Sequence, residues 1–325
     1  MKYRKLGKTG FTVSEVGFGG WAIGGSWGAQ DDKESVNALH TAIDQGLNFI
    51  DTAAGYGEGK SEKIIAEILK SRKEEVTVVT KMPPMEGHWP PSPYCKIDER
   101  YPEAYIRKNL EERLTNLNTD CIDVLLLHTW TRAWNSKPTA LETLQELKKE
   151  GKIKTIGLST PEQDQNCVVD LMRRGYLDVI QVIYNIFDQE PAAEILPVAK
   201  ETETGVMVRV AFDEGVLTGK YKADSTFPED DFRSGYFAGD RMARAVARVD
   251  KIKKEIEGTS LTMPQLALKF ALSHEGVSAV IPGIRNHQQA IANTAVSDLD
   301  DLSEDLLARL QKHNWLRGVW YSGKD

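Results

Sequence analysis

A barrel of eight parallel strands alternating with helices, the (β/α)8 TIM barrel, is the α/β fold class this sequence predicts, and three observations predict it. Eight short β-rich runs recur along the 325 residues, amphipathic patterns fill the gaps between them, and most of the runs are nearly all apolar. Strands covered by helices on both faces read in this way. About 250 residues suffice for such a barrel, which leaves a surplus for loops, an N-terminal β-hairpin cap, extra helices and a C-terminal tail. No fixed-period repeat and no low-complexity linker breaks the alternation, so residues 1–325 are expected to form a single domain.

The elements follow in order. Lys2–Leu6 and Phe11–Val13 flank Lys8-Thr9-Gly10 as a hairpin placed to cap the bottom of the barrel. Candidate barrel strands then come at Glu15–Gly19, Leu47–Ile50, Val76–Thr80 and Ile122–Leu127, and again at Ile153–Leu158, Val179–Ile183, Val206–Val210 and Val277–Ile281. The clearest helix starts at Pro102, preorganised for a first helical position, and aligns Ile106, Leu110, Leu114 and Leu117 on one face. Leu141, Leu144 and Leu147 do the same before Gly151 stops the next helix. After the seventh strand the spacing stretches: Ala223–Gly239 is a polar 17-residue loop and Arg241–Ile256 an added helix. Structureless loops of that length usually carry function.

Composition narrows the partners. With 41% hydrophobic and 27% charged residues the chain is neither disordered, collagenous nor a disulfide scaffold. A net charge of −7, from 41 basic against 48 acidic side chains, argues against nucleic acid or an anionic membrane as main partner. The N-terminal MKYRKLGKTGFTV lacks the apolar core of a signal peptide, and no run has the length of a membrane helix, so a cytoplasmic location is expected. Cys95, Cys121 and Cys167 are widely spaced, form no metal-ligand pattern and read as reduced thiols. No metal site is expected.

In a barrel of this kind the site forms at the C-terminal ends of the strands. The second strand ends in Asp51, the third in Lys81, the fourth in His128 and the fifth in Ser159 and Thr160, and the sixth carries Gln181; Tyr56 lies five residues beyond Asp51 on a Gly-rich loop. A phenol near pKa 10 is a poor acid or base at neutral pH, and a nearby ammonium lowers that value. Lys81 is placed to tune Tyr56, Asp51 to hold Lys81 charged, and His128 to hydrogen-bond an oxygen on which negative charge develops. Such a group suits carbonyl reduction or its reverse. Asp51 and Lys81 also fit a purely structural ion pair, and His128 a hydrogen-bonded core histidine.

NFIDTAAGYGEGKSE (Asn48–Glu62), VTVVTK ending at Lys81, VLLLH ending at His128, IGLS ending at Ser159 and GVLTGKY (Gly215–Tyr221) together resemble the signature segments of the aldo-keto reductase superfamily. The resemblance spans nearly the whole chain in the family's order. It implies a catalytic tetrad of Asp51, Tyr56, Lys81 and His128, with Tyr56 as proton donor and hydride supplied by a nicotinamide. It also implies NADP(H), with NAD(H) as a second option, bound in extended form without a Rossmann motif.

On that resemblance the nicotinamide carboxamide lies near Ser159 and Gln181, and Gly20, Trp21 and Asp51 are expected as further cofactor contacts. Thr160 stands where the family usually has asparagine, and Arg209 stands where many members stack an aromatic ring; a guanidinium plane can also stack. Lys220 is a candidate for the pyrophosphate region, and Val210, Phe212 and Gly219 are expected as further cofactor contacts. The run IPGIRNHQQAIAN (Ile281–Asn293) resembles the segment at the adenine end, where Gly283 allows close approach, Arg285 suits a 2′-phosphate and Gln289 and Asn293 lie one helical turn apart. Ala292 replaces a frequent acidic residue there. Of seven tryptophans, Trp21, Trp27, Trp89, Trp130 and Trp134 follow strands at the expected mouth, and Trp315 and Trp320 lie in a tail that is expected to fold back. Trp21, Trp27, Trp89 and Trp130, with Tyr56 and His128, are the expected substrate wall, aromatic faces that suit sugars, aromatic aldehydes or quinones. The insert Pro83–Arg100 is expected to shape specificity. The expected partner is a small carbonyl or alcohol substrate, on a monomer or weak homo-oligomer. Two rivals stay open: a barrel aldolase with Lys81 as Schiff base, and a non-catalytic NADPH-binding sensor or regulatory subunit of the same fold.

Overall fold

The computed structural model describes residues 1–25, 27–28 and 30–315. A two-stranded antiparallel hairpin, β1 (Tyr3–Lys5) and β2 (Thr12–Ser14), precedes eight parallel strands. These are β3 (Phe18–Gly19), β4 (Phe49–Asp51), β5 (Thr77–Met82), β6 (Ile122–Leu127), β7 (Ile153–Ser159), β8 (Val179–Ile183), β9 (Gly205–Arg209) and β10 (Ala279–Val280). They pair in sequence order, and the two edges of the sheet meet at the parallel bridges Val16–Val280 and Gly19–Gly283, so the sheet curls into the expected (β/α)8 arrangement. The seam strands β3 and β10 are shorter than the apolar runs around them because pairing across the seam is made at these spaced bridges rather than along a continuous ladder.

Two apolar clusters hold the fold. Inside the barrel, Phe49, Val79, Val124, Leu126, Val179 and Met207 pack with Leu6 and Val13 of the hairpin, all fully buried. The hairpin therefore plugs the N-terminal end, as its pattern predicts. Gly205 is needed at this contact, because a Cβ there would come within 2.8 Å of Leu6 Cδ1. The larger cluster lies between the strands and the helices that cover them and includes Ile106, Leu110, Leu114, Leu141 and Leu144 from the two periodic helices. Those helices run Glu103–Leu117 and Thr139–Lys149, with Pro102 one position before the first helical residue, where its missing N–H costs nothing. The long loop after β9 contains a short helix, Phe232–Tyr236, and the added helix runs Arg241–Glu255. With the N-terminal end plugged, a cavity into the sheet has room at the other end. Among the described residues no helix is long and apolar enough to cross a membrane, and no group of three or more His, Cys, Asp or Glu could hold a metal ion.

Candidate functional site

The strand ends converge on a cavity of about 720 Å³, within the range of small-molecule and cofactor pockets. At its floor, Lys81 is fully buried on β5 and its ammonium is satisfied three ways: Asp51 Oδ2 at 2.8 Å, the Thr52 carbonyl at 2.8 Å and Tyr56 Oη at 3.1 Å. Asp51, at the end of β4, receives a second bond from Gln181 Nε2 at 2.8 Å, and Ser159 Oγ donates to Gln181 Oε1 at 3.2 Å. Burial pushes the Asp51 carboxyl up, against the Lys81 ammonium and the Gln181 amide. Burial works against the Lys81 charge too, but Asp51 and the phenol outweigh it and the lysine pKa rises.

Tyr56 reaches this lysine because its loop folds tightly. Gly57 (φ 63°) and Gly59 (φ 84°) hold left-handed conformations, and Gly24 lets the neighbouring segment pass so close that a Cβ would meet the Tyr56 carbonyl carbon at 2.5 Å. Burial raises the phenol above its ordinary value, with the Lys81 charge pulling it down and Asp51 adding to the rise. The lowering expected from Lys81 is thus present, but burial exceeds it and the phenol keeps its proton at neutral pH. The His128 ring meets Tyr56 edge-on with centroids 6.0 Å apart. Burial, then the charges of Lys81 and Arg209, holds this imidazole well below the usual histidine value, so it is neutral. The floor therefore offers a neutral phenol hydrogen-bonded to an ammonium beside a neutral imidazole.

From this floor the cavity runs past Ser159, Thr160, Gln181, Val210 and Phe212 to Lys220, and on to Gly283, Arg285, Gln289 and Asn293. Thr160 turns its hydroxyl inward to Gln165 and the Gln181 carbonyl, while its own carbonyl accepts from Arg209 at 3.0 Å. Arg209 also pairs with Glu162 at 2.8 Å, and its Nε is buried without a partner. Beyond it the backbone is strained: Val210, a β-branched residue, has φ 57°, and Asp213 and Glu214 follow at 46° and 52°. Asn185 Nδ2 holds the bend through the Val210 carbonyl at 2.9 Å. At the far end Arg285 donates to Gln30 Oε1 at 2.8 Å, Asn286 caps the helix His287–Thr294, and open space lies where a Gly283 Cβ would point. Burial, with Arg233 and Arg285 nearby, lowers the Lys220 pKa. A long cavity with an orphaned buried donor midway, cations at one end and open backbone beside them fits an extended phosphate-bearing nucleotide.

Three sequence expectations change. Trp130, placed in the substrate wall, is fully buried: its indole donates to Asn135 at 2.8 Å and its ring packs edge-on against Trp134 at 5.1 Å, behind the cavity rather than in it. Gly20 and Gly219 do not line the cavity either. Gly20 lets β3 close on β4, where a Cβ would stand 2.7 Å from the Asp51 carbonyl, and Gly219 ends a turn at φ 74° against Met263. The tail folds back as far as Trp315, which packs against Phe187 with centroids 5.4 Å apart but does not line the cavity, and Trp320 lies outside the described residues. Trp21, Trp27 and Trp89 do line the cavity. Sequence reasoning missed Glu162, Glu214 and Phe232, which line it as well. The unusual length of the loop after β9 was the signal for Phe232; a carboxylate in a turn carries no such signal.

Fold and floor together define a class: a barrel oxidoreductase built around a hydrogen-bonded Asp–Lys–Tyr group beside a histidine. The aldo/keto reductase family model matches residues 15–314, and the chain belongs to that family. It is 32% identical to the aldo-keto reductase YhdN of Bacillus subtilis over 94% of this chain and 91% of that protein. Against the NADH-specific methylglyoxal reductase of Escherichia coli it is 29% identical, over 92% and 94% of the two chains. The structure of a glycerol dehydrogenase from Gluconobacter oxydans superposes with a TM-score of 0.79 at 29% identity, covering 96% of this chain and 94% of that one. The chain is an oxidoreductase that interconverts carbonyls and alcohols with a nicotinamide nucleotide.

Proposed function

We propose that this protein reduces an aldehyde, ketone or sugar carbonyl to the alcohol, and runs the reverse oxidation, with NADP(H) as preferred nucleotide, NAD(H) as a second and Tyr56 as proton donor. The observation that carries this reading is the 3.1 Å bond from Lys81 Nζ to Tyr56 Oη in a site where Lys81 is already paired with Asp51. When bound, the nucleotide supplies or accepts the hydride. Tyr56 Oη holds the proton that the nascent alkoxide needs, and the Lys81 ammonium stabilises the phenolate left behind. Neutral His128 orients the carbonyl oxygen by a hydrogen bond and brings no competing charge. Asp51 and Gln181 keep Lys81 in place.

Arg285 and Lys220 support the preference for a 2′-phosphate, since two cationic side chains at one end of the cavity favour the more anionic nucleotide. The E. coli relative named NADH-specific is the reason to test both. The same reading has the chain acting as one barrel domain, residues 1–325, as a monomer or weak oligomer in the cytoplasm. Fluorescence titration with NADPH and NADH, then absorbance at 340 nm with a panel of aldehydes, ketones, quinones and sugars, tests it. Binding with turnover supports the reading. Tight binding with no turnover across the panel favours a sensor, and no binding overturns it.

A further inference from the structure

Glu214 is the one carboxylate lining the cavity, among the described residues, to which neither the catalytic floor nor a hydrogen-bonded cation gives a role. Asp51 is paired with Lys81, and Glu162 with Arg209. The backbone leaves Glu214 little freedom: it sits between Asp213 (φ 46°) and Gly215 (φ 92°) at φ 52° itself, a run of left-handed residues that fixes where its side chain starts. Such strain persists only where surrounding structure over-determines it.

The groups around Glu214 come from several elements. Asp213, on its own turn, and Glu162, on the loop after β7, oppose its negative charge, while Arg209 at the end of β9 favours it. Arg209 is already engaged by Glu162 and the Thr160 carbonyl, so it gives Glu214 no ion pair of its own. The Trp27 indole, from the segment after β3, favours the charge from nearby, but its buried Nε1–H makes no hydrogen bond. Tyr221 donates to the Glu214 carbonyl at 3.4 Å rather than to its carboxylate, and Asp213 accepts from Tyr236 at 2.8 Å. Burial, helped by Asp213, pushes the Glu214 carboxyl up to about 7. A diphosphate entering this cavity brings permanent negative charge against a carboxyl that has no cation of its own.

We infer that Glu214 makes nucleotide capture proton-linked: the anionic nucleotide binds the form of the protein in which this carboxyl carries a proton. The inference rests on the proposed nucleotide-dependent function. The sign follows from linkage. Below the free protein's titration the carboxyl is already neutral and binding takes up no proton. Above it, binding must draw a proton in or accept repulsion, so affinity falls as pH rises, by at most about tenfold per pH unit for one linked proton. His128 does not contribute, because it is neutral throughout this range. Lys220 would give a slope of the same sign and is the control that matters.

The experiment is a titration of the full chain with NADH, which lacks a 2′-phosphate that would itself titrate, from pH 6 to 9. It is paired with calorimetry at pH 7.5 in two buffers of different ionisation enthalpy. The expected result is a dissociation constant that rises severalfold or more between pH 6.5 and 8.5, with uptake of a fraction of a proton on binding. In Glu214→Gln both the slope and the uptake should vanish, and in Lys220→Arg they should remain. A wild-type constant flat with pH, no proton uptake, or a slope kept in Glu214→Gln but lost in Lys220→Arg would each overturn the inference while leaving nucleotide binding intact. Failure of the wild type to bind NADH or NADPH at any pH would instead remove the proposed function and this inference with it. Should Glu214→Gln not fold, the two-buffer measurement on Lys220→Arg still decides: uptake kept there supports the inference, because the lysine no longer titrates in this range, and uptake lost there overturns it.

Discussion

Two buried ion pairs lie side by side on β5 and its neighbours, and they do different things. Asp51–Lys81 (2.8 Å) opens on the cavity, whereas Glu62–Arg113 (2.9 Å) is sealed behind the strand. Glu62 is wholly buried and saturated: beyond Arg113 it accepts from Thr80 Oγ1 at 2.6 Å and Asn116 Nδ2 at 2.9 Å. Thr80 and Lys81 are adjacent on β5, so their side chains leave opposite faces of the strand. One face meets helices and the other the barrel interior. In the sealed pair the groups that bond Glu62, Thr80 and Asn116, belong to the scaffold, as does its partner Arg113, and they tie the helices Lys60–Lys70 and Glu103–Leu117 to the strand. In the open pair the third donor of Lys81 points at a phenol on the cavity wall. Chemistry comes less from burying a charge pair than from leaving one of its hydrogen bonds to a group that faces ligand.

That contrast breaks first at Tyr56. Tyr56→Phe should lower kcat by about 10²–10⁴-fold with nucleotide affinity and melting behaviour nearly unchanged, measured by steady-state rates, fluorescence titration and thermal unfolding. Wild-type activity in this variant would remove the proton donor. Lys81→Met should also abolish turnover, and unlike the tyrosine variant it strands the Asp51 carboxylate, so unfolding should show a loss of about 3–5 kcal/mol.

Arg113→Met tests the sealed pair. It should cost a similar amount, about 3–5 kcal/mol, while the fraction that stays folded keeps kcat within a few-fold; a collapse of kcat with stability intact would merge the two pairs into one functional unit. A smaller effect concerns His128, which is neutral in the folded protein. The unfolded chain takes up a proton there near pH 6.5 before the folded one does, so this histidine makes stability fall as pH drops below that value. His128→Gln should flatten this part of the stability profile and lower kcat/KM; an unchanged profile would mean the imidazole charges in place. Least of all, Trp89, half exposed and edge-on to His128 at 5.3 Å, should contribute roughly 1 kcal/mol to an aromatic substrate, so Trp89→Ala should raise KM several-fold with little change in kcat.

The barrel and its floor were legible in the order of residues, because both are written locally. Apolar runs alternate with helical periods from Phe18 to Val280, and Asp51, Lys81 and His128 each follow a run at the position where a parallel barrel gathers its strand ends. Tyr56 was legible through the glycines around it. Trp130 was not, because position after a strand says nothing of whether a ring turns toward the cavity or back under the loop against Trp134; that depends on the volume left by neighbouring helices. Nor could the sequence show that Arg209 is already engaged by Glu162, or that Glu62 and Asp51, both acidic and close in the chain, face opposite sides of the sheet. Even the acidity of Tyr56 was decided in space: a lysine nearby lowers a phenol's pKa, but only the folded structure shows how much water the phenol has lost, and here that loss outweighs the charge. Order along the chain fixes which groups arrive at the mouth, whereas desolvation and competing partners, which are properties of three-dimensional packing, decide what each of them can do there.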